Sequence, residues 1–471
     1  MRTTHAVIAS LACGLIACGC DWQAFDGYRR TPSVASITFP AHWDALRYGG
    51  AIAVANNATD GDWLVSSGGL GTPALVRPLA RSGLILPPDD PRYICGGAIA
   101  GTGINCGTDR VGIALAGVPT WNGARTCGMT GVFGATHTVH VRCIGEAPPR
   151  EFDIRPFPSY ALAGFGLALA APRVRTDADA AVGEVVFVSA PAGAGRVFMV
   201  EPSRMFDVTP RNVPIDARMG DSLAVGRVRV PGSTATDLLV AAGAPGANAV
   251  IVLSGDPRVA RPMQQRGCVR RADEPGFGGA VAVGDVDGDG SDDVIVGARR
   301  DAMGRRARVH VFLSSASIST TDCDANGWPE VTPPLDCAPV PGRGANCADG
   351  AEGFGSSLAA GDLDADGRDE IVIGAPGATV DGVSRAGAIW LARVTGAGAT
   401  TRATFGDVLR NAQPDADAEL GASVVNGRIA GRDEVITTSF GSNEVFVFFC
   451  SGLEGDRRTP MTDTRCRPMI R

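Results

Sequence analysis

The sequence predicts an all-β chain folded as a seven-bladed β-propeller, and three observations carry that expectation. A pattern of an aromatic, Leu or Met, then Gly, a small residue, an apolar strand, a polar turn and a second strand recurs seven times in the 471 residues. The units open near 48, 96, 165, 219, 277, 354 and 420, about 62 residues apart, the period of a repeated supersecondary unit. Each unit runs on into a third apolar strand. Units of about four antiparallel strands repeated radially hide their sheet edges by closing a ring.

Tyr48 opens the first unit, YGGAIAVANNATDGDWLVSSGG, and the second is read from near Gly96, GGAIAGTGINCGTDRVGIALAGVP, with Cys95 in place of the aromatic. Phe165, Met219, Phe277, Phe354 and Leu420 open the other five. Third strands are expected at 138–142, 196–200, 249–253, 308–313, 388–391 and 444–449. Small residues such as Gly279-Ala280-Val281-Ala282 suit a first strand crowded near the ring axis. The last unit is short, 420–471, whereas a β-run at 34–39 precedes the first unit and is left over. That run is expected to close the last blade. The competing closure uses the tail beyond Cys450, tied back by a Cys450–Cys466 bridge.

Arg2, an apolar run at 6–17 and then cysteines read as a secretory signal, since the run is too short for a membrane span. Leu15-Ile16-Ala17-Cys18 resembles a bacterial lipobox, in which Cys18 becomes the lipidated first residue. The expected organisation is a signal peptide at 1–17, a tether at 18–33, the propeller at 34–455 and a tail at 456–471, anchored through lipid at the outer membrane or cell surface. Export makes disulfides plausible. Eleven cysteines remain after Cys18, an odd set, with Cys20 the one expected to stay unpaired or be modified. The net charge of -7 is mild and every basic residue is Arg, with no basic block interleaved with aromatics, which argues against nucleic acid.

The most informative stretch is FGGAVAVGDVDGDGSDDVIVGA at 277–298, which sets Asp285, Asp287, Asp289 and Asp293 around Gly288 and Gly290. Residues 354–376 repeat it, with Asp362, Asp364, Asp366 and Glu370 at the same offsets. Oxygen donors at alternate positions of a glycine-permitted turn converge on one hard cation, for which Ca2+ is the natural candidate. The plainer reading is an acidic hairpin turn, because Asp-Gly favours turns for backbone reasons alone. EF-hands are excluded: the twelfth loop positions hold Val296 and Ile373, and β-runs flank both loops.

The seven units resemble FG-GAP repeats, the blades of the integrin α-subunit propeller and of many bacterial secreted proteins. Only the fifth and sixth carry the detailed signature, FGG or FGS, GDxDxDGxx(D/E) and VGA or IGAP. The resemblance implies calcium in the turn between first and second strands, held by side chains at loop positions one, three, five and nine and a carbonyl at seven. Carried over, these are Asp285, Asp287, Asp289, Ser291 and Asp293, then Asp362, Asp364, Asp366, Arg368 and Glu370. Glu370 departs from the usual Asp. Units one, four and seven, with only Asp60 and Asp62, VRVPGSTATD and GRIAGRDE, have lost the set.

Asp322, Asp324, Asn326, Gly327 and Glu330 form a further acidic turn inside an insertion with Cys323, Cys337 and Cys347, where a disulfide-pinned loop is the favoured reading. His137 and His140 sit three apart on an expected strand and so face opposite ways, a poor pair for one metal. No catalytic residue is assigned, because no GxSxG, HExxH or P-loop pattern occurs. Both acidic turns lie on one face of the expected ring. Ligand binding is therefore expected on the other, through loops such as 299–306 and 377–387, in line with the integrin resemblance. The expected function is a calcium-stabilised envelope lipoprotein that binds or adheres to a protein or carbohydrate. A propeller hydrolase or lyase, or a structural subunit of an envelope complex, are the alternatives.

Overall fold

The computed structural model of the chain describes residues 33–38, 48–55, 63–68, 74–78, 92–93 and most of 110–450. Within that last span, 134–136, 145–147, 157–163, 174–183, 231, 234, 258–262, 299–306, 315–322, 324–327, 338–344, 347–352, 397–399, 430–431 and 443 lie outside the description, and with them the expected 299–306 binding loop. The signal, the lipidation site Cys18 and the tail lie outside it too.

The N-terminal run forms β1 (Ser33–Thr38). A first antiparallel sheet follows as β2 (Tyr48–Ala55), β3 (Trp63–Gly68), β4 (Ala74–Pro78) and β5 (Arg92–Tyr93). The next consists of β6 (Arg110–Trp121), β7 (Ala124–Phe133), β8 (His137–Cys143) and β9 (Arg150–Ile154). Then come β10 (Leu169–Ala170), β11 (Val186–Ala190), β12 (Arg196–Glu201) and β13 (Arg204–Asp207). The fourth sheet is β14 (Ser222–Arg229), β15 (Thr236–Ala244), β16 (Ala249–Gly255) and β17 (Gln264–Arg270). The fifth is β18 (Ala280–Gly284), β19 (Asp293–Ala298), β20 (Arg308–Phe312) and β21 (Leu335–Asp336). After a short β22 (Ala345–Asn346), the sixth is β23 (Ser357–Gly361), β24 (Glu370–Ala375), β26 (Ala388–Thr395) and β27 (Arg402–Leu409), with β25 (Thr379–Val380) pairing β22. The last comprises β28 (Leu420–Ile429), β29 (Arg432–Ser439) and β30 (Glu444–Phe449), and its fourth strand is β1, paired from Ser33↔Phe449 to Thr38↔Glu444.

The architecture is that of an all-β propeller. Six blades, not the expected seven, are described with most of their side chains; the unit opening at Tyr48 contributes its four strands, with side chains only at 51–54. The second blade also departs from expectation. The run read as its second strand, 110–119, belongs to the innermost strand β6, and the hairpin turns at Asn122-Gly123, both with positive φ (49° and 73°). Asn-Gly favours this two-residue turn strongly, and it outweighed the GGAIA resemblance upstream.

The repeated motif has a direct physical explanation. Its first residue is a core plug: Phe165, Met219, Phe277, Phe354 and Leu420 are all buried. The glycine after it turns left-handed, at φ 88°, 90°, 87°, 72° and 91° for Gly166, Gly220, Gly278, Gly355 and Gly421, a conformation that suits a residue without Cβ. Its N–H donates to the second strand of the same blade, as from Gly278 to the Gly297 carbonyl (3.1 Å) and from Gly355 to that of Gly374 (2.9 Å). Its carbonyl faces the preceding blade, where Ser222 donates to the Gly278 oxygen (2.9 Å) and Ser357 to the Gly421 oxygen (2.7 Å). A Cβ on Gly297 would lie 2.2 Å from the Gly355 carbonyl oxygen, so the second-strand glycine is what lets adjacent blades touch. Gly297→Ala is accordingly expected to cost about 1–3 kcal/mol by overpacking, read as a lower urea midpoint at unchanged slope. An unchanged midpoint would show that the blades do not approach there.

Disulfides support the margins. Cys127 and Cys143 face each other across β7 and β8 and are bonded, and Cys268 on β17 is bonded to Cys323, pinning the insertion after β20 to the fourth blade. Cys337 is in a disulfide as well, and so is Cys450.

Candidate metal centre

The turns after β18 and β23 are each built by three aspartates that bond their own backbone. In the first, Asp285 accepts from Gly288 and Gly290 N–H (2.9 Å each), Asp287 from Asp289 (3.1 Å) and Asp289 from Ser291 (2.7 Å). In the second, Asp362 accepts from Asp366 (3.0 Å) and Gly367 (3.2 Å), Asp364 from Asp366 (3.2 Å) and Asp366 from Arg368 (2.9 Å). These local bonds are the reason Asp nucleates such loops. The left-handed positions fall at Gly288 and Gly290 in one turn and at Ala365 and Gly367 in the other.

Oxygens of Asp285, Asp287 and Asp289 lie within 4.8 Å of one another, as do those of Asp362, Asp364 and Asp366. Six of the ten expected ligands are thus brought together in two sets of three. Ser291 is buried, and its hydroxyl accepts from the Arg229 N–H (3.4 Å). The ninth-position carboxylates lie beneath the turns and hold strands. Asp293 accepts from Val286 (3.1 Å) and Ser314 (2.7 Å), and Glu370 accepts from Leu363 (3.0 Å). The Arg368 side chain leaves its own turn and covers Gly288 of the first.

Gathering carboxylates in a half-buried turn disfavours their ionised forms. Burial, opposed by its backbone bonds and helped by Asp289 and Asp287, pushes Asp285 up to about 6. Burial and the Asp364 charge push Glu370 up to about 8. Burial also raises Asp287, Asp362 and Asp364, and raises Asp293 well above the ordinary carboxylate value. A three-oxygen acidic cradle in a half-buried turn suits a hard divalent cation, so the donor set fits calcium.

The family model for the FG-GAP repeat matches residues 277–312 and 354–391, from each buried Phe through the acidic turn to the third strand. The chain carries FG-GAP repeats. Among curated proteins none matches it. The matched segments are two adjacent blades of one all-β FG-GAP propeller.

The FG-GAP turns are also clamped by residues that the motif does not mark. Asp292 accepts from the Arg227 N–H of the preceding blade (2.8 Å) and returns its own N–H to the Arg227 carbonyl (2.7 Å). Asp369 treats Asp285 in the same way (3.1 and 2.8 Å), and Asp433 accepts from Asp362 (3.2 Å). Each of these aspartates therefore joins its own turn to the neighbouring blade. Cβ atoms on Gly226 and Gly284 would sit 2.4 and 2.6 Å from the Asp292 and Asp369 carboxylates, so a glycine in the first strand makes room for the clamp. The sequence signal is the pairing of a first-strand glycine in one unit with an aspartate in the next, visible only once the blades are placed side by side.

A second charged cluster was not expected. Buried His310 on β20 places Nε2 2.6 Å from Glu274 Oε2 and Nδ1 2.6 Å from Glu330 Oε1. Arg271 also pairs with Glu330, and Arg308 reaches both Asp336 (2.7 Å) and Glu274 (3.5 Å). Two carboxylate acceptors require both ring nitrogens to donate, which is the imidazolium. Burial opposes the charge, but the two glutamates outweigh it and hold His310 above its usual pKa. Glu330 is thereby committed to His310 and Arg271; Asp322, Asp324, Asn326 and Gly327 lie outside the described residues. His140 is likewise structural, bonded through Nδ1 to Asp153 (3.0 Å).

Proposed function

We propose that this FG-GAP propeller is a calcium-stabilised binding or adhesion module, exported and held at the cell envelope through a lipidated Cys18. The observation that carries the calcium part is the convergence of three carboxylates at the same turn of adjacent blades, each turn seated on its neighbour by an aspartate. One bound Ca2+ per turn supplies positive charge where the chain gathers three carboxylates. The chain's own residues do the rest: Asp285, Asp287 and Asp289, and Asp362, Asp364 and Asp366, present oxygens, while Asp293 and Glu370 fix the strands below.

In the proposed ring the seven sheets meet through their innermost strands, β1 completing the last, and the acidic turns stiffen one face. Connections on the opposite face are then free to meet a protein or carbohydrate partner. The 377–387 connection supports this reading, being a built projection. Asp381 and Gly382 form a tight turn with positive φ between Val380 and Val383, Arg410 pairs with Asp381, and Arg385 pairs with Asp417 and Glu419 of the next blade's entry.

The test is thermal unfolding of the chain lacking residues 1–20, in calcium and then in chelator, for wild type, Asp289→Ala and Asp366→Ala. A site filled a hundredfold above its dissociation constant stabilises by about 2.7 kcal/mol, so chelation lowers the midpoint and each variant loses part of the response. Identical wild-type midpoints in calcium and chelator would remove the metal from the reading and leave the propeller. For the anchor, Cys18→Ala is expected to move the protein from the membrane fraction to the soluble one. Retention in the membrane fraction would refute lipidation there.

A further inference from the structure

The two acidic turns share a backbone plan but not their surroundings. In the sixth blade Gly361 pairs with Glu370 and Ile371 with Ala392, while in the fifth Gly284 pairs with Asp293 and Val294 with Phe312. Position 393 therefore corresponds to position 313. Arg393 stands at the former, donating from Nη2 to Asp364 Oδ2 (3.2 Å); Leu313, packed against apolar neighbours, stands at the latter. Arginines also border the first turn, Arg229 at Gly290 and Arg368 at Gly288, yet neither guanidinium is hydrogen-bonded to one of its three carboxylates.

We infer that Arg393 makes the two turns unequal cation sites, the Asp285 turn filling first and the Asp362 turn held in reserve at higher calcium. The inference rests on reading the turns as calcium sites. A guanidinium bonded to Asp364 neutralises one of three ligand charges and occupies one of its lone pairs. A divalent ion entering there meets a fixed like charge in a half-buried position, where screening is weak. Leu313 takes no lone pair from the first turn, where Arg368 acts on Asp287 through its charge alone, without a hydrogen bond. Arg393 is thus a specificity-determining residue that sets the calcium range over which the second turn responds.

Isothermal titration of the purified chain with calcium tests this. Two classes of site are expected, the second at least tenfold weaker. Arg393→Leu, which reproduces the fifth-blade residue, should strengthen the weak class at least tenfold and leave the tight class in place. Arg393→Gln, which keeps a polar stem, should do the same and guards against a packing artefact. Asp287→Asn should abolish the tight class alone. Two equal sites in wild type, or a weak class unmoved by both Arg393 variants, overturn the inference while leaving calcium binding intact. No calcium binding at either turn overturns the inference together with the reading on which it rests.

Discussion

Replacing His310 with leucine is expected to destabilise the propeller by about 3–5 kcal/mol at neutral pH, the cost of stripping a buried charge cluster of its shared partner. Glu274 comes from the loop before the fifth blade, His310 from its third strand and Glu330 from the insertion beyond, so a single imidazolium joins three segments. Without it the two glutamates face an apolar group, with Arg271 and Arg308 left to compensate from more exposed positions. The pH dependence follows from the direction of each shift. Folding raises the His310 pKa, so its contribution is complete below the ordinary value of 6.5 and is lost as pH rises through the raised one. Glu274 and Glu330 are both opposed by burial, but the His310 bond dominates and lowers them. Their contribution is present above the ordinary 4.5 and is lost as pH falls. The wild-type advantage over His310→Leu should therefore peak between these limits and shrink on both sides. Denaturant midpoints of the two proteins from pH 4 to 9 measure it; a difference that stays flat with pH would show His310 to be neutral in the fold.

Phe354→Ala is expected to cost a similar amount, about 3–5 kcal/mol, by opening a cavity where two blades meet. The ring is fully buried, edge-on to Trp390 (5.9 Å) and Phe405 (6.3 Å) in its own blade, within a cluster that includes Val309 and Val311 of the blade before. Phe354→Leu should recover much of the loss, because Leu420 fills the same role in the last blade. Calorimetric midpoints and denaturation curves separate the two. If alanine costs no more than leucine, the aromatic is not the plug of that interface.

Much of this was legible because the determinants are local. The buried aromatic, the left-handed glycine and the alternate aspartates all act within about ten residues of one another, and each leaves a fixed spacing in the sequence. The N-terminal strand was legible by counting, since the last unit lacked one strand and a β-run stood unused. What stayed hidden depends on neighbours that are distant in sequence. Asp292 and Asp369 look like ordinary members of an acidic turn until their carboxylates are seen on Arg227 and Asp285 of other blades. Arg393 is one arginine among many until register sets it opposite Asp364. His310 looks like a plain strand residue, since its two glutamates lie 36 and 20 positions away. The second unit differs for the opposite reason: its motif matches only loosely, and a short turn signal, Asn122-Gly123, sets the hairpin.

Pairing of β1 with β30 also sets a schedule for synthesis. Residues 33–38 leave the ribosome before the other described strands, and their partners at 444–449 after them. Every intervening blade can form as it emerges, but the final sheet waits for β30, and through that wait the early strand presents an open edge to any other strand it meets. Completion of the ring is thus a long-range step that joins the first described strand to the last. A nascent chain stalled anywhere before residue 444 holds an unclosed ring, which makes the N-terminal strand the segment most in need of protection while the protein is being made.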